Sequence, residues 1–206
     1  EKAENILLPG TTFLGENYRK LAGGPFYLPH DANASQTLAR GLSELGRSEM
    51  DSVSVLCPDD LNVKLSLNEM VIAWNAQFNN YFNLETLSEE KLLSRVKSGD
   101  YQVALYPIRP ESDGPLAALS QFRGGASGNA AHLDDSAYNA LLSRAENENG
   151  KAAAAYYADA ESYLNRQAVF YPLYYENQSY AMAKGVTGII FHSYQGGVDF
   201  IAAGKE

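Results

Sequence analysis

Apolar residues recur along this chain in two periods, and each change of period marks a new element. From Ala34 onward Leu38, Leu42 and Leu45 share one stripe, and Gly46 stands where a C-terminal cap would sit, so a helix is predicted. Over residues 52–57 the period falls to two, with Val53 and Val55 alternating with serines until Pro58, the pattern of a strand. Steps of three and four then return at Val63, Leu67, Met70, Val71, Trp74 and Phe78, while Lys64, Asn68, Glu69 and Asn75 face away. This is a long amphipathic helix, and Trp74 in its apolar stripe reads as packing rather than as a ligand-stacking ring. Phe82, Leu84 and Thr86 alternate as a second strand, so strand, helix and strand imply a crossover unit, normally right-handed. Ser88, Glu89 and Glu90 open another helix with acids at its positive end. Leu92, Leu93 and Val96 give it a buried face and Gly99 closes it.

That helix leads into residues 100–122, the stretch around which the rest is organised. Tyr101, Val103, Ala104 and Leu105 predict a short strand covered on both faces. Pro107 and Pro110 end it and keep Ile108 and Arg109 extended; Pro115 then suits a first helical turn, followed by Leu116, Leu119 and Phe122 at helical spacing. The polar loop between them lies at the carboxyl end of a strand, where open α/β sheets hold ligands. Residues 123–129 are glycine-rich without the Lys-Ser/Thr of a phosphate loop, and read as a connector in which Asn129 either caps a turn or faces a cleft. Tyr138, Leu141, Leu142 and Ala145 mark a helix, and residues 151–168 an alanine-rich one that packs through Tyr156, Ala160, Tyr163 and Leu164. Residues 169–175 are predicted as a strand and 179–183 and 188–191 as further extended segments; 198–203 are too short to classify. The first thirty residues show no period. They read as an irregular, poorly packed strap or connection, so residues 1–33 are taken as a connecting segment and 34–206 as one α/β lobe.

Composition narrows the function. In 206 residues, 16 Lys and Arg face 25 Asp and Glu for a net charge of -9, which argues against nucleic acid or an anionic membrane surface as partner. No apolar run approaches the roughly 20 residues of a membrane-spanning helix. The start, Glu1-Lys2-Ala3-Glu4, lacks Met and has no signal-peptide pattern, so the chain is expected to be a processed product or a piece of something longer. Cys57 is alone, which rules out an internal disulfide. His30, His132 and His192 are scattered and no G-x-S-x-G occurs, so no metal, cofactor or catalytic framework is recognisable and a non-enzymatic role is expected. The pairs Asp59-Asp60 and Asp134-Asp135 precede helices and read as caps.

A helix ending in Leu-Gly, a strand, a long amphipathic helix, Gly99-Asp-Tyr-Gln-Val-Ala104, a proline-containing loop, Asn129, Tyr138 with Leu141-Leu142, Ala160-Glu-Ser-Tyr-Leu164, Tyr171-Pro-Leu-Tyr-Tyr-Glu176 and Val186-Thr-Gly188 follow one another in this order. Together they resemble the extracellular solute-binding proteins of family 5, the oligopeptide- and dipeptide-binding receptors of ABC importers. The resemblance implies an α/β fold, a mixed sheet flanked by helices, forming one lobe of a two-lobed periplasmic-binding-protein-like receptor whose first lobe is missing here. It implies capture of an extracellular peptide for import, an extracytoplasmic place, periplasmic or lipid-anchored, and permease subunits as partners. Matched position by position, Glu111 stands where an acid, usually Asp, pairs with the ligand's terminal ammonium. Ile108 and Pro107 stand where such receptors often have Trp and Gly. Arg109 and Asn129 match cleft-facing places, and Tyr175 with Glu176 ends the late strand. The alternatives are a receptor for a non-peptide solute such as an oligosaccharide or metal chelate, and an extracytoplasmic hydrolase.

Overall fold

The computed structural model describes residues 3–24, 33–177, 179–192 and 197–205; His30 and residues 25–32 of the irregular opening lie outside them. The chain divides into two compact units, one made of Glu1–Tyr27 with Ile108–Glu206 and the other of Leu28–Pro107. The opening segment thus groups with the last hundred residues.

Residues 3–24 are better packed than their lack of period suggested. Ala3, Asn5, Ile6, Leu7, Thr11 and Tyr18 are all buried. Thr12–Phe13 (β1) pairs antiparallel with Glu16–Asn17 (β2), and Tyr18–Ala22 (α1) follows, capped by Asn17, whose side chain accepts the Arg19 N–H at 3.0 Å. Its apolar residues enter the core one at a time between helices from later in the chain, so no stripe forms that a periodicity could reveal.

In the second unit, Ala34–Glu44 (α2) precedes Val53–Pro58 (β3), Leu61–Gln77 (α3), Phe82–Leu87 (β4), Glu89–Ser98 (α4) and Val103–Ala104 (β5). The strands form a parallel sheet in the order β4-β3-β5, in register Val53↔Phe82 and Val55↔Val103. The middle strand is therefore β3, with Val55, Leu56 and Cys57 buried, and β5, expected to be covered on both faces, is a two-residue edge strand whose Val103 is 38% exposed. Asp60 caps α3 by accepting the Asn62 and Val63 N–H groups, each at 3.0 Å. Leu67 and Val71 are buried under α3, and Trp74 meets Phe82 at 5.3 Å between ring centroids, as packing. Gly99 ends α4 in the left-handed conformation, at φ 75°.

The first unit resumes with Pro115–Leu119 (α5), a 3-10 turn at Ser120–Phe122, Ser136–Asn147 (α6) and Lys151–Arg166 (α7). Asp135 caps α6 through the Ala137 and Tyr138 N–H groups and also accepts the Tyr163 hydroxyl at 2.8 Å. Ile6, Leu7, Tyr18, Leu119, Phe122, Tyr138, Leu142 and Leu164 share one core. The strand expected over residues 169–175 is not formed beyond an isolated bridge at Tyr174. Pro172 has no N–H to offer a ladder, and the Leu173 carbonyl is taken by Ala3 N–H at 3.1 Å. Residues 179–183 form no strand among those described. Val186–Thr187 (β6) pairs antiparallel with Gly204–Lys205 (β9), and Ile190–Phe191 (β7) with Val198–Asp199 (β8). Gly188 sits between β6 and β7 at φ 72°, where an added Cβ would lie 2.0 Å from the Ala202 carbonyl oxygen, so only glycine fits.

A carboxyl group lies inside this core. Glu161 on α7 is wholly buried and accepts the Tyr18 hydroxyl at 3.3 Å. Arg19 reaches the Leu7 carbonyl and, at 3.4 Å, the Tyr175 hydroxyl, which itself donates toward the Asn5 and Leu7 carbonyls at 3.0 Å. Burial pushes the Glu161 carboxyl up to about 7 from 4.5, against the lowering effect of Arg19, Tyr18 and the Leu7 and Ile6 N–H groups. A raised acid pKa means the folded state binds the extra proton between about pH 4.5 and 7, so stability falls as pH rises through that window and the loss is complete above it. The shift corresponds to roughly 3 kcal/mol. Chemical denaturation at pH 5 and pH 8 should show Glu161→Gln gaining on the wild-type chain by up to that amount at the higher pH. A difference between the two proteins that does not change with pH would refute the buried, shifted carboxyl.

Candidate ligand-binding site

After β5 the chain enters residues 105–114, whose conformation is set by its prolines. Pro107 and Pro110 hold their predecessors extended, so successive side chains alternate: Ile108 is half-buried and packs against the core, while Arg109 and Glu111 are exposed. Ile108 thereby acts as the loop's anchor, and Arg109 and Glu111 as its presented groups. Asp113 fixes the far end. Its Oδ1 accepts the Thr12 N–H at 3.0 Å and the Gly114 N–H at 2.8 Å, and its Oδ2 accepts the Thr12 hydroxyl at 2.6 Å. One carboxylate with three donors ties the β1–β2 hairpin to the loop across 101 positions of sequence.

Between hairpin and loop lies an open cleft of about 790 Å³. Its lining includes Thr12, Phe13 and Leu14 from the hairpin, Arg109 and Glu111 to Ala117 from the loop and α5, Ala126 to Gly128 from the connector, and Tyr157 from α7. Phe13 meets Tyr157 edge to face at 5.6 Å. The cleft therefore offers a carboxylate, a guanidinium and an aromatic wall within one concavity, a combination suited to a ligand with a charged end and an apolar side chain.

Of the residues singled out from sequence, Arg109 and Glu111 meet in this cleft, and Ile108 supports them. Asn129 is engaged within the connector: its side-chain nitrogen donates to the Leu133 carbonyl at 2.7 Å and the Arg123 carbonyl at 3.3 Å, while its oxygen accepts the Leu133 N–H at 3.3 Å. Of the two roles left open for it, bracing the turn is the one these bonds perform. Tyr175 holds the opening segment through Asn5 and Leu7 and is absent from the cleft lining. Sequence reasoning missed the hairpin, Asp113 and Tyr157. A Thr-Phe-Leu-Gly-Glu run could have suggested a turn at Leu14-Gly15, but leucine is not a residue that turn chemistry favours there. Among the described residues no group of His, Cys, Asp or Glu is placed to hold a metal ion, and no helix is long and apolar enough to cross a membrane.

No protein-family profile matches the chain. The dipeptide-binding protein DppE of Bacillus subtilis is 23% identical over 183 residues, covering 86% of this chain and 33% of its own length. Among solved structures, the pheromone receptor PrgZ superposes over the whole chain with a TM-score of 0.81 at 13% identity, and an oligopeptide ABC transporter substrate-binding domain from Bacillus anthracis does so with 0.81 at 19%. Peptide-bound OppA of Listeria monocytogenes gives 0.79 at 19%. The chain spans about a third of the curated relative's length and 40% of each of these three structures. The α/β fold expected for one lobe of a peptide-binding receptor is the fold found, and the resemblance to the oligopeptide- and dipeptide-binding receptors holds in both sequence and fold.

The Asp113 clamp makes a specific demand. Asp113→Ala should release the hairpin from the loop while leaving the buried core intact. Hydrogen exchange at the Thr12 and Gly114 amides should then quicken, with global stability lowered by about 1–3 kcal/mol. Unchanged protection of Thr12 would show that the hairpin is held by something else.

Proposed function

We propose that this chain is the ligand-contacting part of a substrate-binding protein that captures extracellular peptides for an ABC importer. Glu111 carries the reading. It stands exposed on a loop stiffened by Pro107 and Pro110, anchored by Ile108 and clamped by Asp113, over a cleft large enough for a short peptide. A carboxylate so held pairs with a ligand's terminal ammonium once water is excluded, and Arg109 beside it selects against a second cation.

Water exclusion calls for a second surface, which a longer protein would supply as its other lobe. The apolar side chains exposed near the end of the chain, Tyr180, Met182, Ile190, Phe191, Phe200 and Ile201, support this reading, as does the length of the similar proteins. The complete receptor would work outside the cytoplasm, periplasmic or lipid-anchored, and hand its ligand to permease subunits. Its activity would be binding without turnover.

Calorimetry on the full-length protein tests the assignment with a pool of short peptides, free and N-acetylated. Glu111→Gln should weaken binding of the free peptides by roughly 3–5 kcal/mol, the cost of leaving one buried partner alone. If acetylated peptides bind as well as free ones, Glu111 does not read the ammonium. If only an oligosaccharide or metal chelate binds, or peptides are cleaved, the peptide-receptor reading is wrong.

A further inference from the structure

Leu14 is poorly explained by the local fold. It occupies the first position of the two-residue turn between β1 and β2 at φ 55°, followed by Gly15 at φ 75°. Consecutive left-handed residues are the demand of a tight hairpin turn, and Asn, Asp or Gly meets it with less strain than leucine. Leu14 is also 60% exposed, so the unfavourable backbone is not offset by burial of the side chain in the core. Strain held without a packing reason is a pointer to use.

Its position suggests the use. Leu14 lines the same cleft as Glu111 and Arg109, next to Phe13 and Tyr157. The Thr12–Asp113 bonds fix the hairpin to the loop that bears Glu111, so the apolar wall and the carboxylate keep a constant separation. A rigid spacing between a charge reader and an apolar surface discriminates among ligands, whereas a floppy one only adds affinity.

We infer that Leu14 is a specificity-determining residue: it contacts an apolar side chain within the first two residues of a peptide whose terminal ammonium is read by Glu111. This rests on the peptide-receptor reading above. It assigns the cleft a ligand class, peptides with a free amino terminus and an aliphatic or aromatic side chain close to it, in preference to glycine or charged residues.

Two variants separate the side chain from the backbone. Leu14→Gly and Leu14→Asn both suit a positive φ, so neither should lower the melting temperature. Calorimetry of the full-length protein against Leu-Leu-Gly and Gly-Gly-Gly, with N-acetyl-Leu-Leu-Gly as control, reads the preference. Wild-type protein should favour Leu-Leu-Gly over Gly-Gly-Gly by about tenfold or more, and both variants should bring the ratio to about twofold, chiefly by losing affinity for Leu-Leu-Gly. A ratio that persists in both variants, with free peptides still preferred over the acetylated one, overturns the role of Leu14 and leaves the receptor reading intact. Failure of every free peptide to bind overturns both.

Discussion

A carboxylate that cannot reach water decides how the two ends of this chain meet. Glu161 projects from α7 into the core, where the segment running through Ile6, Leu7 and Tyr18 closes over it. A buried carboxyl is tolerable only with partners, and here they come from the opening residues: Oε2 accepts the Tyr18 hydroxyl and the field of Arg19 favours the charge, while Oε1 has no hydrogen-bond partner among the described residues, in keeping with the raised pKa. Arg19 in turn grips the Leu7 carbonyl and the Tyr175 hydroxyl, so residues 5–19 are bound to the region near 161–175 by polar contacts as well as by apolar burial. Hydrophobic burial alone would hold this segment without fixing its register; the Tyr18–Glu161 bond and the bonds of Arg19 and Tyr175 to the Asn5 and Leu7 carbonyls specify where it lies.

That docking has its consequence at the other side of the hairpin. With Tyr18 held at Glu161, β1 and β2 are brought to the loop preceding α5, where Asp113 takes both the amide and the hydroxyl of Thr12. Phe13 reaches Tyr157 on α7, one turn of helix before Glu161. The same helix therefore anchors the hairpin at two points, and the cleft wall inherits the rigidity of the core. The loop itself needs little further support, since two prolines and the half-buried Ile108 already restrict it.

The sequence by itself determined the elements with a strong period or a strong cap. The β3-α3-β4 crossover, the Asp60 and Asp135 caps, the Gly99 stop and the helix beginning at Pro115 all follow from residues within a few positions of each other, and all are found. The loop bearing Arg109 and Glu111 was legible for the same reason, because proline acts on its neighbours. What only the tertiary structure decided depends on partners far away in sequence. Residues 3–24 bury through isolated side chains, so no local pattern announced their packing; residues 169–175 have a strand's composition but give a carbonyl to Ala3 and have Pro172 where a ladder needs an N–H. Asp113, Glu161 and Leu14 looked like an ordinary loop acid, an ordinary helix acid and an ordinary leucine. Their roles arise from Thr12, Tyr18 and the cleft, brought to them by folding across more than a hundred residues for the two acids, and a one-dimensional pattern carries no record of that distance.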